Sequence, residues 1–148
     1  MTKALWGVEG YDTPVQEYFL QEAKPLATMD DYNRLARLLP ANRRLQYEPT
    51  TVDFMPEDAP HIYKAAQKLV TKANKLFGFD IDGWQQPLRF NVYMAGHEFK
   101  WHNDYTLNDN SKIALVHIVH PADEGGSMRL MAQGAVMEVK MRAADSVL

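Results

Sequence analysis

The chain contains no cysteine among its 148 residues. This absence excludes disulfides, thiolate zinc sites, iron–sulfur clusters and cysteine nucleophiles, so any metal must be held by nitrogen and oxygen ligands. The sequence also lacks a long apolar run, and we therefore expect no signal peptide, no membrane partner and a cytoplasmic location. Its formal net charge of −3 argues against a nucleic-acid partner, because phosphate binding needs clustered lysine and arginine.

Length and composition predict a single domain over residues 1–148. Hydrophobic residues make up 46% of the chain and aromatic residues 11%, which is enough apolar surface for a sizeable core. Helical patterns dominate residues 1–83, and strand patterns dominate residues 84–148. Helices first and antiparallel strands second indicate an α+β domain, in which the sheet half would be a sandwich or a barrel.

Three helices are predicted in the first half, over residues 13–22, 28–39 and 58–78. The first two open with Thr-Pro-Val-Gln and Thr-Met-Asp-Asp, which are typical helix starts. In the third helix we expect Asp58 to cap the start and Gly78 to end the last turn. Its apolar stripe consists of residues at helical spacing, namely Ile62, Ala65, Ala66, Leu69, Val70, Ala73, Leu76 and Phe77.

The apolar pattern changes to a period of two residues after Gly83. Alternation over residues 88–94 predicts a half-buried strand, whereas residues 42–57 are expected to be irregular or extended. Further strands are predicted over residues 112–120, 127–131, 135–141 and 146–148. The second and third of these form a hairpin around Gln133-Gly134.

The pair His102-x-Asp104 is the most informative motif. An imidazole and a carboxylate two residues apart on an extended strand point to the same side and can hold one metal ion. Two such ligands and a distant histidine make the facial triad of non-haem Fe(II) oxygenases. Trp101 and Tyr105 flank the pair, and aromatic residues beside polar ones suit the floor of a small-molecule pocket. The alternative is a surface histidine and an aspartate in a turn.

The other histidines are weaker candidates for metal binding. His117 and His120 are three residues apart on a predicted strand, so they face opposite sides and would not chelate one ion. His117 is expected in the core or in a pocket wall. His97 and His61 have no evident partners in the sequence, and Gly125-Gly126 is expected to form a tight turn rather than a phosphate loop.

The motifs of the second half occur in an order that is more specific than any one of them. They are ANKLFGFDIDG at 73–83, LRFNVY at 88–93, Gly96, WHNDY at 101–105, KIALVHIV at 112–119, EGG at 124–126 and AADSVL at 143–148. Together they resemble the 2-oxoglutarate/Fe(II)-dependent dioxygenases, specifically the prolyl 4-hydroxylase-like branch. The resemblance runs from about Leu69 to Leu148, a little over half of the chain.

This resemblance implies a double-stranded β-helix, or jelly roll, with supporting helices on one side. His102 and Asp104 match the first two iron ligands, and Tyr93 matches a tyrosine that helps to hold 2-oxoglutarate. Lys112 and Leu115 fall near positions that line the cosubstrate pocket. The implied cofactors are Fe(II), 2-oxoglutarate and O2, with ascorbate as a candidate reductant, and no catalytic residue is implied beyond the metal ligands.

The implied activity is hydroxylation of a C–H bond, with peptidyl proline in a protein or peptide as the expected substrate. In this family a distal histidine and a basic residue follow the position of Leu148, so we expect an incomplete jelly roll that lacks C-terminal strands. One alternative is a non-catalytic jelly-roll fragment that binds a partner or complements missing strands. Another is a cupin-like metal protein with a different cosubstrate.

Overall fold

The computed structural model describes most of the chain, namely residues 2–7, 14–39, 41–43, 50–81, 83, 87–102, 113–132 and 135–148. These residues form two helices, α1 at Met29–Leu38 and α2 at Pro60–Phe77, of which neither is both long and apolar enough to cross a membrane. They also form ten strands, β1 Thr2–Gly7, β2 Pro14–Phe19, β3 Gln21–Ala23, β4 Ala41–Arg43, β5 Thr50–Phe54, β6 Leu88–Val92, β7 Val116–His117, β8 Met128–Ala132, β9 Ala135–Val139 and β10 Asp145–Val147. The contacts group into two units, a middle unit of Leu26–Ala114 and a terminal unit of Met1–Pro25 with Leu115–Leu148.

Helix α1 begins at a reciprocal cap. The Thr28 hydroxyl accepts a hydrogen bond from the Asp31 N–H at 3.2 Å, and the Asp31 carboxylate accepts one from the Thr28 N–H at 2.9 Å. Two N–H groups that the helix leaves without an internal partner are thereby satisfied. The predicted helix over residues 28–39 is confirmed, with its last helical residue at Leu38.

The predicted helix over residues 58–78 is confirmed as α2, but with a different residue at its N-cap. The buried part of the predicted stripe consists of Ile62, Ala66, Leu69, Ala73 and Phe77. Gly78 ends the helix in the left-handed conformation at φ 73, which glycine adopts without strain. The predicted cap is wrong, because the Asp58 carboxylate accepts a hydrogen bond from the Met55 N–H at 2.8 Å within the preceding turn. Ala59 is the N-cap instead and makes no side-chain hydrogen bond there.

The core of the middle unit lies between the two helices and a three-stranded antiparallel sheet of order β4-β5-β6. Its buried residues are Leu35, Val52, Phe54, Ala59, Ile62 and Tyr63, and the Phe54 and Phe90 rings stack with centroids 5.1 Å apart. The Tyr63 hydroxyl donates to the Phe54 carbonyl at 2.8 Å and accepts from the Leu88 N–H at 2.9 Å. One side chain of α2 therefore ties the end of β5 to the start of β6.

The start of the terminal unit differs from the sequence prediction. A helix was expected over residues 13–22, but Pro14–Phe19 is strand β2, which pairs with β1 in antiparallel register from Thr2↔Phe19 to Gly7↔Pro14. The helix prediction is wrong because a Thr-Pro start signal is a weak local preference. Pairing with a second strand satisfies the same backbone groups and overrides that preference.

Strand β10 lies in the middle of a three-stranded sheet of order β3-β10-β7. Ser146 is opposite Glu22 on one side and His117 on the other, and Leu20 and Leu148 exchange two backbone hydrogen bonds beyond β3. All of β10 is buried, which confirms the strand predicted at the end of the chain. Among the described residues predicted as a strand over 112–120, Val116–His117 forms strand β7, and Ile118 continues the pairing through backbone hydrogen bonds with Ala144 and Asp145.

The predicted hairpin around Gln133-Gly134 is confirmed in its strands. β8 and β9 pair in antiparallel register from Met128↔Val139 to Ala132↔Ala135. Before it, Gly125 and Gly126 have φ values of 66 and 63, as the predicted tight turn requires, and a Cβ on Gly126 would lie 3.0 Å from the Ala122 Cβ. A glycine at this position therefore provides both the backbone conformation and the space.

The described residues contain both helices and antiparallel sheets, but they form four small sheets and no closed barrel. The first 83 residues contain five of the described strands, β1 to β5, as well as both helices, so this half is not mainly helical as predicted. The double-stranded β-helix and the single domain over residues 1–148 stay predictions.

Candidate metal centre

A tight turn precedes the predicted metal ligands. After β6 the chain turns at residues 94–97, where the His97 N–H donates to the Met94 carbonyl at 2.9 Å. Gly96 has φ 80 in this turn, a conformation that side chains with a Cβ rarely adopt. The Met94 N–H in turn donates to His97 Nδ1 at 3.2 Å, so His97 has a local partner that the sequence did not reveal.

The imidazole of His102 is held by the residues just before it. Its Nδ1 lies 2.8 Å from the Lys100 carbonyl oxygen. Because a carbonyl only accepts hydrogen bonds, Nδ1 carries the proton, and in the neutral ring Nε2 then carries the lone pair. The Phe99 ring packs against the imidazole with centroids 4.3 Å apart and an interplanar angle of 69°. The local backbone and an aromatic neighbour thus define the orientation of the predicted ligand.

Aromatic side chains near His102 in the sequence are exposed. The exposed fractions are 50% for Tyr93, 39% for Phe99 and 52% for Trp101, and Met94 is exposed as well. These residues therefore do not belong to the hydrophobic core. An exposed aromatic surface next to a polar side chain can contact a ligand that enters from solvent.

The structure describes only part of the predicted site. Asp104 and Lys112 lie outside the described residues. Tyr93 and His102 belong to the middle unit, whereas Leu115 is half-buried in the terminal unit. Within the described part of the chain, no group of three or more histidine, aspartate or glutamate side chains is arranged to hold a metal ion.

His117 has the surroundings of a core histidine, as predicted. It is half-buried, and its Nδ1 lies 2.7 Å from the hydroxyl oxygen of Ser146, which is fully buried directly across the strand pair. His120 is exposed, and its Nδ1 lies 2.8 Å from the Pro121 carbonyl oxygen. The two histidines therefore have separate partners.

His61, which has no evident partner in the sequence, is exposed and has a partner in the structure. Its Nε2 lies 2.7 Å from Asp31 Oδ1, so the first turns of α1 and α2 are joined by an ion pair when the imidazole is protonated. Burial tends to raise the pKa of Asp31, but hydrogen bonds from Thr28 and His61 and the charge of His61 outweigh it and lower that pKa. The sequence could not reveal this pair, because its members lie on different helices and meet only after the helices pack.

The residues present fit a metal in their chemistry. An imidazole with a protonated Nδ1 and a lone pair on Nε2 is the form of histidine that binds a metal through Nε2. No protein-family model matches the chain, and neither the curated proteins nor the solved structures give a match. The family resemblance therefore depends on the ordered sequence motifs, and the chemistry that it implies is a proposal.

Proposed function

We propose that the chain is a 2-oxoglutarate- and Fe(II)-dependent oxygenase of the prolyl 4-hydroxylase-like branch, acting on a peptidyl C–H bond. His102 and Asp104 would hold the metal, and Tyr93, Lys112 and Leu115 would hold or line the site of 2-oxoglutarate. When bound, Fe(II) and 2-oxoglutarate together with O2 supply the oxidising chemistry, with ascorbate as the candidate reductant. The protein residues bind and orient these groups, and we propose that they do so in the cytoplasm.

The orientation of His102 is the observation that supports this function best. Metal-binding histidines commonly donate their second ring N–H to a backbone carbonyl, which sets the tautomer and raises the basicity of the metal-binding nitrogen. His102 makes this contact with Lys100 at 2.8 Å. His120 contacts the Pro121 carbonyl in the same way, but it lacks an aspartate two residues later, so the contact is informative only together with the His102-x-Asp104 motif.

The exposure of His102 also favours this role. A metal in such an enzyme must be reached by a cosubstrate, by O2 and by a peptide, so at least one of its ligands must lie at an open surface. His102 and the aromatic residues Phe99 and Trp101 before it are exposed, whereas His117 is held against the buried Ser146. His102 is therefore the better candidate for a ligand at an open site.

An anaerobic titration with Fe(II) and 2-oxoglutarate tests the proposal. The chelate of 2-oxoglutarate with protein-bound Fe(II) absorbs visible light, so binding can be followed directly. We expect the band with the wild-type chain and its loss in His102→Ala and in Asp104→Ala. His120→Ala is the matched control, because it removes another exposed histidine with the same carbonyl contact, and it should keep the band.

The same titration separates the alternatives. A folded wild-type chain that gives no band, checked by far-UV circular dichroism, would overturn the proposed function. If that chain also failed to bind iron and formed a defined oligomer, the non-catalytic fragment would be favoured. If it bound metal equally well with and without 2-oxoglutarate, the cupin-like alternative would be favoured.

A further inference from the structure

The contacts of the His102 imidazole include a hydrogen bond and an aromatic packing contact. The Lys100 carbonyl accepts the Nδ1–H at 2.8 Å, and the Phe99 ring packs on the imidazole at a centroid distance of 4.3 Å. A single hydrogen bond leaves the ring free to rotate about the N–H···O direction, since the χ2 angle of histidine has a broad energy minimum. A second contact from the side removes that rotation.

We infer that Phe99 is a positioning residue for His102, which holds the imidazole in the one rotamer where the Lys100 carbonyl accepts its Nδ1–H and so fixes the tautomer. The inference rests on the proposed function only in treating His102 as a metal ligand. Ordering an exposed side chain before binding reduces the entropy that binding would otherwise cost. Phe99 would therefore strengthen metal binding without touching the metal.

His120 provides a comparison within the same molecule. Its Nδ1 also lies 2.8 Å from a backbone carbonyl, and it is exposed like His102. Among the described residues, no aromatic ring packs on His120, in contrast to the Phe99 contact of His102. If the hydrogen bond to the backbone carbonyl alone fixed the orientation of the ring, the two histidine side chains would be equally ordered. If Phe99 contributes, His102 should be the more ordered of the two.

The first test uses the metal-free chain at a pH where the imidazoles are neutral. NMR measures the tautomer from the two ring ¹⁵N shifts and the χ1 populations from three-bond couplings. In the wild type we expect His102 to show one tautomer and one rotamer, and His120 to average over several. In Phe99→Leu, His102 should average over several tautomers and rotamers, as His120 does. In Phe99→Tyr, which keeps the aromatic ring, His102 should show the wild-type populations.

Unchanged tautomer and rotamer populations of His102 in Phe99→Leu would overturn the inference. A general loosening of the loop is a different outcome, and the Met94–His97 turn reports it. The His97 amide, which donates to the Met94 carbonyl at 2.9 Å, should keep its hydrogen-exchange rate in every variant. Faster exchange of this amide together with changed His102 signals would mean that Phe99 supports the loop rather than the ring, and it would also overturn the inference.

The second test measures Fe(II) binding alone, by anaerobic calorimetry. Loss of a group that orients a ligand commonly costs at least tenfold in metal affinity, so we expect Phe99→Leu to weaken Fe(II) binding by about tenfold. Phe99→Tyr should bind like the wild type. Equal affinities in all three chains would overturn the role of Phe99 in metal binding. Absence of Fe(II) binding in all three would contradict the proposed function, while the NMR result on the metal-free ring would still decide whether Phe99 orders His102.

Discussion

Each of the two units is stabilised internally in a different way. In the middle unit, Leu35 of α1 and Ile62 of α2 pack on Val52 and Phe54 of the sheet, so side-chain burial joins elements that form locally. In the terminal unit, the buried strand β10 pairs with Gln21–Ala23, more than a hundred residues earlier in the chain. Backbone pairing of distant segments requires closure of a long loop first. The comparison indicates that the middle unit depends on its core, and the β3-β10-β7 sheet of the terminal unit on its central strand.

Removal of a core side chain should have the largest effect. Phe54 is buried, stacks on Phe90 and meets the Tyr63 ring edge-on, so Phe54→Ala would leave a cavity at the centre of the middle unit. We expect it to lower the free energy of unfolding by about 3–4 kcal/mol, measured by urea denaturation. Leu38→Ala is the control, because Leu38 is 68% exposed at the end of α1. Equal losses in the two variants would contradict a core at this position.

Removal of one hydroxyl tests how α2 is joined to the sheet. Tyr63→Phe would leave the Phe54 carbonyl and the Leu88 N–H without the hydroxyl that they share. We expect a loss of about 2 kcal/mol in unfolding free energy, because a buried polar group without its partner keeps its desolvation cost. Burial of the Tyr63 hydroxyl raises its pKa, as do the charges of Glu57 and Asp58, while the bond from Leu88 opposes this. A change within the error of the urea titration would show that the bridge is dispensable.

A substitution in β10 should affect the terminal unit alone. Ser146→Ala removes the hydroxyl that contacts His117 Nδ1 at 2.7 Å. We expect this change to lower the free energy of unfolding by about 1 kcal/mol. Amide hydrogen exchange should accelerate at Ile118, whose N–H donates to the Asp145 carbonyl of β10, and at Ala144, whose N–H donates to the Ile118 carbonyl. Exchange in α2 should stay unchanged. Ser127→Ala, at an exposed position, is the control. Faster amide exchange throughout α2 in Ser146→Ala would contradict the distinction between the two units.

The smallest expected effect concerns the ion pair between α1 and α2. The pKa of Asp31 is lower in the folded chain than its ordinary value of 3.8, so the charged carboxylate stabilises the fold above that value. This stabilisation should be lost as the pH falls through the folded pKa, between about pH 5 and pH 2. Asp31→Asn should lower the free energy of unfolding by up to about 1 kcal/mol at neutral pH and leave it unchanged near about pH 2.

Urea denaturation at several pH values measures this difference. Asp30→Asn removes a neighbouring charge in the same helical turn and serves as the control, since it leaves both the Thr28 cap and His61 in place. If the unfolding free energies of wild type and Asp31→Asn differed as much near about pH 2 as at neutral pH, a role for the Asp31 charge would be contradicted.

Much of the candidate site could be named from the sequence, but its geometry could not. The spacing from Asp104 identifies His102 in the sequence, and the family resemblance of the LRFNVY motif identifies Tyr93. The packing of Phe99 on the imidazole and the contact of Nδ1 with the Lys100 carbonyl were not predicted. Spacing shows which side chains share a side of a strand, whereas these contacts depend on the backbone conformation of an irregular segment.

The sequence by itself determined the elements whose signals lie within a few residues. The Thr28 cap, the stripe and terminal glycine of α2, and the β8–β9 hairpin all follow from local spacing and backbone preference. Tertiary structure decided the rest. It made Pro14–Phe19 a strand, placed β10 between two strands, and brought His61 to Asp31. The partner of Pro14–Phe19 is the preceding strand, and the other two outcomes depend on partners far away in the chain. Local preferences of a fraction of a kcal/mol per residue yield to the hydrogen bonds and burial that a partner supplies.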